Sequence, residues 1–176
     1  MTAALLRALL CALLLGQAVN ASASGLPFKQ PRAGLYTHGQ PSAAQLQQAA
    51  AAGITTLIDL RAAGEDRGFD ELATAERLGL RYVRLPIADG QALNADNARA
   101  LHRILQQSDG PVLLHCASAN RAGGLLALAA ANHEGVTATE ALAQGKAAGL
   151  GSLAPRVQQQ LGLPTAETQA GDVTTP

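Results

Sequence analysis

The sequence predicts a single α/β domain in which a mainly parallel central sheet is flanked by helices. Short, apolar segments rich in β-branched residues alternate along the chain with segments that have helical spacing and helix-capping residues. This alternation occupies residues 24–163, which is the length of one domain with its own hydrophobic core.

The residues before this domain have the pattern of a cleaved signal peptide. Residues 1–23 contain Arg7, then an apolar run, then small residues. The apolar run is shorter than the ~20 residues that span a bilayer, so we expect no stable membrane insertion. The expected location is therefore periplasmic or secreted. Residues 164–176 are rich in Pro, Thr, Gly and Asp, and we expect them to form a flexible tail.

The first elements of the domain are predicted from caps and apolar runs. Residues 24–34 form a leader that contains Pro and Gly, and Leu35–Thr37 is expected to be a short edge strand. A capping box at Ser42–Gln45 predicts a helix that ends at Gly53. Ile54–Leu60 is almost continuously apolar, as expected of a buried parallel strand.

The middle of the chain continues the same alternation. Asp70–Gly79 is predicted to be a helix whose first residue is its N-cap. Tyr82–Ile87 is predicted to be a strand. Asn94 or Asp96 is expected to begin a helix, because an apolar stripe with helical spacing follows it.

The last elements surround the candidate site. Pro111–His115 is predicted to be a strand and Arg121–His133 the helix that follows it. A second capping box at Thr137–Glu140 predicts a helix that extends to about Gly149, and a short helix is expected at Arg156–Leu161.

Ligands in such sheets bind beyond the carboxyl ends of the parallel strands. Three polar segments follow predicted strands: Asp59–Arg61, Asp89–Gly90 and Cys116–Arg121. We therefore expect these three segments to meet at one rim of the sheet.

The Cys116–Arg121 segment carries the candidate chemistry. Backbone N–H groups of the loop, the helix N-terminus and the Arg121 guanidinium are expected to stabilise Cys116 as a thiolate nucleophile. Arg121 would bind two oxygens of a phosphate or sulfate in fork geometry. The phosphate-binding loop is predicted to consist of Ala117, Ser118, Ala119, Asn120 and Arg121. The alternative is a buried structural cysteine beside a surface arginine.

Three further residues have open roles. His115 would orient the loop and favour the thiolate, or serve as a hydrogen-bonded structural residue. Arg61 would widen the anion site, or pair with Glu65 or Asp66. Asp59 is expected to tether a neighbouring loop.

Composition excludes several classes of function. Thirteen basic residues balance thirteen acidic ones, so the sequence does not predict binding to nucleic acid. The four histidines have no metal-ligand spacing, and we expect neither a metal nor a cofactor. Of the two cysteines, Cys11 lies in the predicted signal peptide, so Cys116 has no internal partner for a disulfide.

Four segments carry a resemblance to a known family: Leu35–Pro41, Ala52–Arg61, Gly79–Ile87 and Pro111–Cys116 with Arg121. Through them, residues 34–163 resemble the dual-specificity-phosphatase-like family named after beta-lactamase-hydrolase-like proteins. The resemblance implies that the Cys116 thiolate attacks phosphorus while Arg121 holds the phosphoryl oxygens. It further implies that Asp89 protonates the leaving group and that the partner is a phosphorylated substrate. Asp89 precedes a glycine, so a turn is the alternative role for it.

The sequence departs from the phosphatase pattern at three points. Four residues separate Cys116 from Arg121 where protein phosphatases usually have five, and six residues from Cys to Arg is also the loop size of rhodanese sulfurtransferases. Ala119 stands where related loops carry glycine, and Ala122 where they carry Ser or Thr. Two alternatives therefore stay open: a sulfurtransferase that carries a persulfide on Cys116, and a non-catalytic module that binds anions or phosphoproteins.

Overall fold

A computed structural model of the chain describes residues 25–165. The predicted signal peptide and residues 166–176 of the predicted tail lie outside the described residues. Within them, five strands form one sheet in the order β1-β2-β5-β3-β4. The strands are β1 Lys29–Arg32, β2 Leu35–His38, β3 Thr56–Asp59, β4 Arg81–Arg84 and β5 Val112–His115.

Six helices accompany this sheet in the described part of the chain. They are α1 Ala43–Ala51, α2 Glu71–Arg77, α3 Ala95–Gln106, α4 Asn120–His133, α5 Ala138–Ala147 and α6 Ala154–Gln160. Among these helices, none has the length and apolar character needed to cross a membrane.

The sheet is parallel except at one edge. β2, β5, β3 and β4 run parallel to their neighbours, and β1 pairs antiparallel with β2. The α/β fold class is thereby confirmed, but two details of the prediction are wrong. Leu35–Thr37 lies in an inner strand, because β1 covers its outer side, and the predicted leader contains β1 itself. β1 has no apolar alternation and includes Pro31, so its sequence carries no strand signal.

Helices cover both faces of the sheet and enclose two hydrophobic cores. On one face, α1 and α2 pack against β3 and β5 through residues such as Leu46, Ala75 and Leu57. On the other face, α3, α4, α5 and α6 pack against the same strands, and this larger core includes the side chain of Cys116. The sheet is therefore buried on both sides, as expected of parallel strands.

The predicted caps begin the helices. Ser42 and Thr137 form complete capping boxes at α1 and α5, and the side chains of Asp70 and Asn94 cap α2 and α3. α4 begins at Asn120, one residue before the predicted start, and directly after the loop that Cys116 opens.

Glycines allow α4 to pack closely against α5. A Cβ atom on Gly123 would lie 2.3 Å from the backbone nitrogen of Leu150 and 2.5 Å from the carbonyl oxygen of Gly145. This contact fixes the position of the first turn of α4, and with it the position of Arg121.

Candidate active site

The parallel strands end together at the rim that carries the candidate site. Their last residues are in register across the sheet: His38 pairs with His115, His115 with Asp59, and Asp59 with Arg84. The chain leaves β5 at His115 and continues directly into Cys116. The predicted convergence of loops at one rim is therefore found, with a row of ionisable residues beneath it.

The loop after β5 is held against the segment that follows β2. Cys116 is fully buried, and its N–H donates to the carbonyl of His38 at 3.4 Å. The N–H of Gln40 donates to the carbonyl of Ala117 at 3.2 Å. A Cβ atom on Gly39 would lie only 2.9 Å from that same carbonyl oxygen, so the close approach requires glycine there.

Ala119 has a strained backbone. Its φ of 65° places it in the left-handed region, and it is the only non-glycine residue with positive φ among residues 25–165. L-residues adopt this conformation at a cost of about 1–2 kcal/mol. The departure from glycine at this position therefore leaves the loop with backbone strain.

We expect Ala119→Gly to raise the free energy of unfolding by about 0.5–1 kcal/mol, because glycine adopts positive φ without strain and loses only part of this gain to unfolded-chain entropy. Denaturant unfolding measures the change. The matched control is Ala117→Gly in the same loop, which has no positive φ to relieve and is expected to lower stability. A less stable Ala119→Gly protein would contradict the strain argument.

Asn120 anchors the start of α4. Its side-chain oxygen accepts hydrogen bonds from the N–H groups of Gly151 at 2.9 Å and Leu153 at 3.3 Å, and its nitrogen donates to Ser152 at 2.6 Å. The Asn120 side chain therefore fixes the loop to the segment before α6. Only its backbone N–H remains for the anion role that the sequence predicts.

Arg121 is held by a carboxylate from another loop. Its Nη1 and Nη2 atoms donate to the two oxygens of Glu65 at 2.6 and 2.7 Å, and Nη1 also donates to the carbonyl of Ile87 at 2.6 Å. Glu65 is itself fixed by the N–H of Ala62 at 2.8 Å and by Nε of Arg61 at 3.2 Å. The guanidinium therefore has a defined orientation before any substrate arrives.

This pairing shifts the pKa values of both partners. The hydrogen bonds from Arg121 are the largest cause of the low pKa of Glu65, which lies at about 2. The bond to Glu65 is likewise the largest cause of the raised pKa of Arg121, and attraction to Cys116 contributes further. Both groups are charged at neutral pH.

We expect Glu65 to make stability depend on pH in the acid range. Its pKa falls from 4.5 to about 2 on folding, so its contribution is complete above about pH 4.5 and is lost as the pH falls towards 2. Above pH 5 the wild type should exceed Glu65→Gln in stability by about 2 kcal/mol. The two curves of unfolding free energy against pH should converge between pH 4.5 and 2.

Glu76→Gln is the control for this comparison, since Glu76 is exposed on α2. It should follow the wild-type curve at every pH. If the curves of unfolding free energy against pH stayed parallel for the wild type and Glu65→Gln, the contact with Arg121 would not lower the pKa of Glu65.

The contacts of Arg121 leave one edge of its guanidinium available. Of the five N–H donors of an arginine, Glu65 takes two and the Ile87 carbonyl takes one. The Nε hydrogen and the second Nη2 hydrogen remain, and these two point from the same edge of the planar group. Arg121 also lies close enough to Cys116 for their interaction to contribute to the raised pKa of Arg121. An arginine with two donors left on one edge therefore lies near the candidate nucleophile.

A buried polar cluster lies behind the loop. Asp59, Glu71 and His115 each place one oxygen or nitrogen atom within 4.8 Å of the others, which is a geometry that also suits a metal ion. Two arginines lie against these carboxylates: Nη2 of Arg67 is 2.6 Å from Asp59, and Nε of Arg84 is 3.7 Å from it. The hydroxyl of Tyr82 lies between the two carboxylates, 2.8 Å from Asp59 and 3.1 Å from Glu71, and shares its one hydrogen between them. The oxygens of this cluster are thus already engaged by side chains of the protein.

The comparisons with known proteins agree with this geometry. The family described as "Beta-lactamase hydrolase-like protein, phosphatase-like domain" matches residues 33–133, which is more than half of the chain. The chain belongs to this family. The match includes β2 to β5 and all of α4, and therefore the segments that carry Cys116, Arg121 and Glu65.

Two curated relatives carry the same family name. The beta-lactamase hydrolase-like protein of Xylella fastidiosa is 36% identical over 98 residues, which are 53% of this chain and 22% of that protein. The protein of that name from Agrobacterium fabrum is 30% identical over 88 residues, or 48% of this chain and 20% of that protein. The chain thus spans about a fifth of the length of these relatives.

Solved structures show the same fold at lower identity. A predicted phosphatase from Neisseria meningitidis has a TM-score of 0.63 at 22% identity, over 74% of this chain and 96% of that one. A Cys-to-Ser variant of TpbA from P. aeruginosa, in complex with phosphotyrosine, has a TM-score of 0.59 at 18% identity, over 83% and 88% of the two chains. This phosphatase-like domain thus has the fold of tyrosine and dual-specificity phosphatases.

Three further residues were singled out from the sequence, Asp89, Arg61 and Asp59, and each has different contacts in the phosphatase-like domain. Asp89 is exposed and accepts hydrogen bonds from the N–H groups of Gln91 and Ala92, so the structure shows the turn role that was its alternative. Arg61 forms an ion pair with Glu65, which is one of the two roles predicted for it. Asp59 accepts the N–H of Arg61 at 2.7 Å and tethers that loop, as expected.

Sequence reasoning missed the residues that support the site from the loop between β3 and α2. Glu65 stands 56 positions from Arg121, and no local pattern links them. Arg67 and Glu71 have the i,i+4 spacing of an ion pair, but that spacing is equally common on solvated surfaces. The phosphatase-like domain therefore depends on contacts that are visible only in three dimensions.

Proposed function

We propose that the protein is an exported cysteine-dependent phosphatase that hydrolyses phosphomonoesters through a phosphocysteine at Cys116. The observation that carries this proposal is the free edge of Arg121, which lies beside Cys116 while Glu65 and the Ile87 carbonyl hold the rest of the guanidinium. Two parallel N–H donors suit two oxygens of a phosphoryl group. The N-terminus of α4 adds backbone N–H groups at the same place.

The first step transfers the phosphoryl group to sulfur. An electron pair of the Cys116 thiolate forms the S–P bond while the bond between phosphorus and the leaving oxygen breaks. Asp89 gives a proton from its Oδ2 to that oxygen, since the turn at Gln91 and Ala92 engages only its Oδ1. Asp89 lies on the loop after β4, and the same loop touches Arg121 through the Ile87 carbonyl.

The second step restores the enzyme. Water attacks phosphorus and the S–P bond breaks, which returns the thiolate and releases inorganic phosphate. The carboxylate of Asp89 accepts the proton that the water loses, so the protons balance over one turnover. Arg121 holds the phosphoryl oxygens through both steps.

Hydrolysis of p-nitrophenyl phosphate between pH 5 and 8 tests the proposal. Mature wild-type protein should release p-nitrophenol and be inhibited by orthovanadate, and Cys116→Ser should be inactive. Phosphotyrosine is the natural second probe, since the Cys-to-Ser variant of TpbA was crystallised with it. Absence of turnover in the folded wild type on both substrates would overturn the phosphatase proposal.

A sulfurtransferase is the second candidate, and two features favour it. The six-residue loop from Cys116 to Arg121 has the length found in rhodaneses, and Ala122 is fully buried where a phosphatase has a hydroxyl to assist the departing thiolate. Thiosulfate should then add one sulfur atom to Cys116, visible by mass spectrometry, and cyanide should remove it. If neither enzyme assay responds while Cys116→Ser still binds phosphate, the protein is an anion-binding module.

The exported location is part of the proposal. It rests on the signal pattern of residues 1–23. Protein recovered from a periplasmic fraction should begin at Ser22 or Ser24, because small residues stand at the positions before each of these. Protein that stays in the cytoplasm with residues 1–23 still attached would contradict the exported location.

A further inference from the structure

Arg61 lies between two residues that hold the loop after β5. Its Nη1 donates to the side-chain oxygen of Gln40 at 2.7 Å, and its Nε donates to Glu65 at 3.2 Å. Gln40 holds the start of the loop, because its N–H donates to the carbonyl of Ala117. Glu65 holds the end of the loop, because it accepts from Arg121. Arg61 is therefore linked to both ends of the loop, through one residue in each case.

One carboxylate oxygen brings two guanidiniums close together. Oε2 of Glu65 accepts from Nη2 of Arg121 at 2.7 Å and from Nε of Arg61 at 3.2 Å, so these two nitrogens lie within about 6 Å of each other. A ligand held by the free edge of Arg121 therefore lies close to Arg61 as well.

Arg61 keeps donors that the described part of the chain does not use. Of the five N–H donors of its guanidinium, Gln40 takes one and Glu65 takes one, and the two hydrogens of Nη2 have no partner among residues 25–165. Nη2 is not a buried atom without a partner, so it reaches solvent. The side chain as a whole is only 12% exposed and is fixed by its two bonds. Nη2 can therefore donate to a ligand without breaking either bond that positions the arginine.

The carboxylates at this rim balance the charge of only one of the two guanidiniums. The two buried carboxylates behind the loop form their ion pairs with Arg67 and Arg84. Among the described residues, Glu65 is then the one carboxylate that pairs with Arg61 or with Arg121. A guanidinium that has unused donors and shares its counter-charge is suited to binding an oxyanion.

We propose that Arg61 is a specificity-determining residue that binds a second oxyanion, so that the preferred substrates carry a phosphate or carboxylate group close to the phosphoryl group that Cys116 attacks. Arg121 binds the reacting phosphoryl group, and Nη2 of Arg61 donates to the neighbouring oxyanion. A wider anion site is the other role that the sequence predicts for Arg61, and its ion pair with Glu65 leaves Nη2 available for that role. This deepens the proposed function and rests on it, because it names the substrate class of the phosphatase.

Calorimetric measurement of anion binding to the Cys116→Ser protein tests the proposal without any turnover. Pyrophosphate, which has two adjacent phosphoryl groups, should bind more tightly than phosphate by at least about tenfold. On the same background, Arg61→Gln should lower this ratio of the two dissociation constants by about tenfold, because it removes the donors of the second site. Phosphate, which is held by Arg121, should keep most of its affinity.

Arg84→Gln is the matched control, because it removes one positive charge from the same end of the sheet, where the Arg84 side chain is 43% exposed. It should leave the ratio unchanged. If Arg61 only supports Glu65 and Arg121, then Arg61→Gln would weaken phosphate and pyrophosphate binding by the same factor, and that result would overturn the proposal. A ratio that falls as far in Arg84→Gln as in Arg61→Gln would do so too, since general charge would then explain the preference.

Phosphoglycolate, which joins a phosphate to a carboxylate, identifies the second oxyanion. If Arg61→Gln weakens the binding of phosphoglycolate as much as that of pyrophosphate, the second site accepts either group. If the variant weakens the binding of pyrophosphate alone, the second site is specific for phosphate.

Thermal unfolding of the wild type supplies a test that needs no variant to fold. At equal concentrations, pyrophosphate should raise the midpoint temperature more than phosphate does, because the tighter ligand stabilises the folded state more. Equal rises would overturn the proposal. Absence of p-nitrophenyl phosphate hydrolysis with the binding pattern intact would refute the phosphatase alone, and active hydrolysis without a preference for pyrophosphate would refute the role of Arg61 alone.

Discussion

Gly123→Ala is expected to destabilise the protein by about 3 kcal/mol or more, because the new methyl group collides with backbone rather than with flexible side chains. Its Cβ would lie 2.3 Å from the nitrogen of Leu150 and 2.5 Å from the carbonyl oxygen of Gly145. Neither atom moves without displacing α5 or the segment that follows it. The midpoint temperature of thermal unfolding should fall by about 10 °C.

Gly124→Ala is the matched control, since it has the same gain in helix propensity one residue further along α4. Its Cβ would meet side-chain carbons, Leu93 at 2.8 Å and Val157 at 3.2 Å, and side-chain ends can shift further than backbone atoms. We expect the free energy of unfolding to fall clearly less than it does for Gly123→Ala. Equal stability of Gly123→Ala and the wild type would show that α4 and α5 are not in close backbone contact.

Arg121→Lys is expected to weaken binding of phosphate or vanadate by about 100-fold although the charge is kept. A lysine cannot hold Glu65 with two bonds, reach the Ile87 carbonyl and still offer two parallel donors beside Cys116. The loss should appear in the dissociation constant of the anion, measured by calorimetry on the Cys116→Ser background and so independently of turnover.

Arg103→Lys is the control for this substitution, because Arg103 is exposed in the last turn of α3 and lies outside the loop. It should bind the anion as the wild type does. An Arg121→Lys protein that binds phosphate with unchanged affinity would remove Arg121 from the site, and with it the geometric basis of the phosphatase proposal.

Most of the fold follows from local signals in the sequence. Ser42 and Thr137 begin their helices with complete capping boxes, and the apolar run at Ile54–Leu60 contains the buried strand β3. β1 has no such signal, because its pairing depends on the free edge of β2 and not on its own residues. Whether Leu35–Thr37 is an edge or an inner strand depends on β1, so that detail was beyond local reasoning.

The residues of the candidate site also fall into two groups, those with a local signal in the sequence and those without one. Cys116 and Arg121 could be found because a strand, a short loop and a helix follow one another in the chain. Glu65 and Glu71 could not, since their roles come from contacts across 56 and 44 positions, with Arg121 and His115. Charged side chains in loops and on helices have the same local pattern whether they are solvated or buried, and only packing distinguishes the two.

The order of the strands has a consequence for how the chain acquires its candidate site as it folds. β5 lies between β2 and β3, but it is the last of the described strands along the chain. Until residues 112–115 are in place, β2 and β3 have unpaired inner edges, and such edges readily join other chains. Insertion of β5 closes the sheet and brings Cys116 to the rim in one event. The interval in which the inner strand edges are open to aggregation therefore ends when Cys116 reaches its place at the rim.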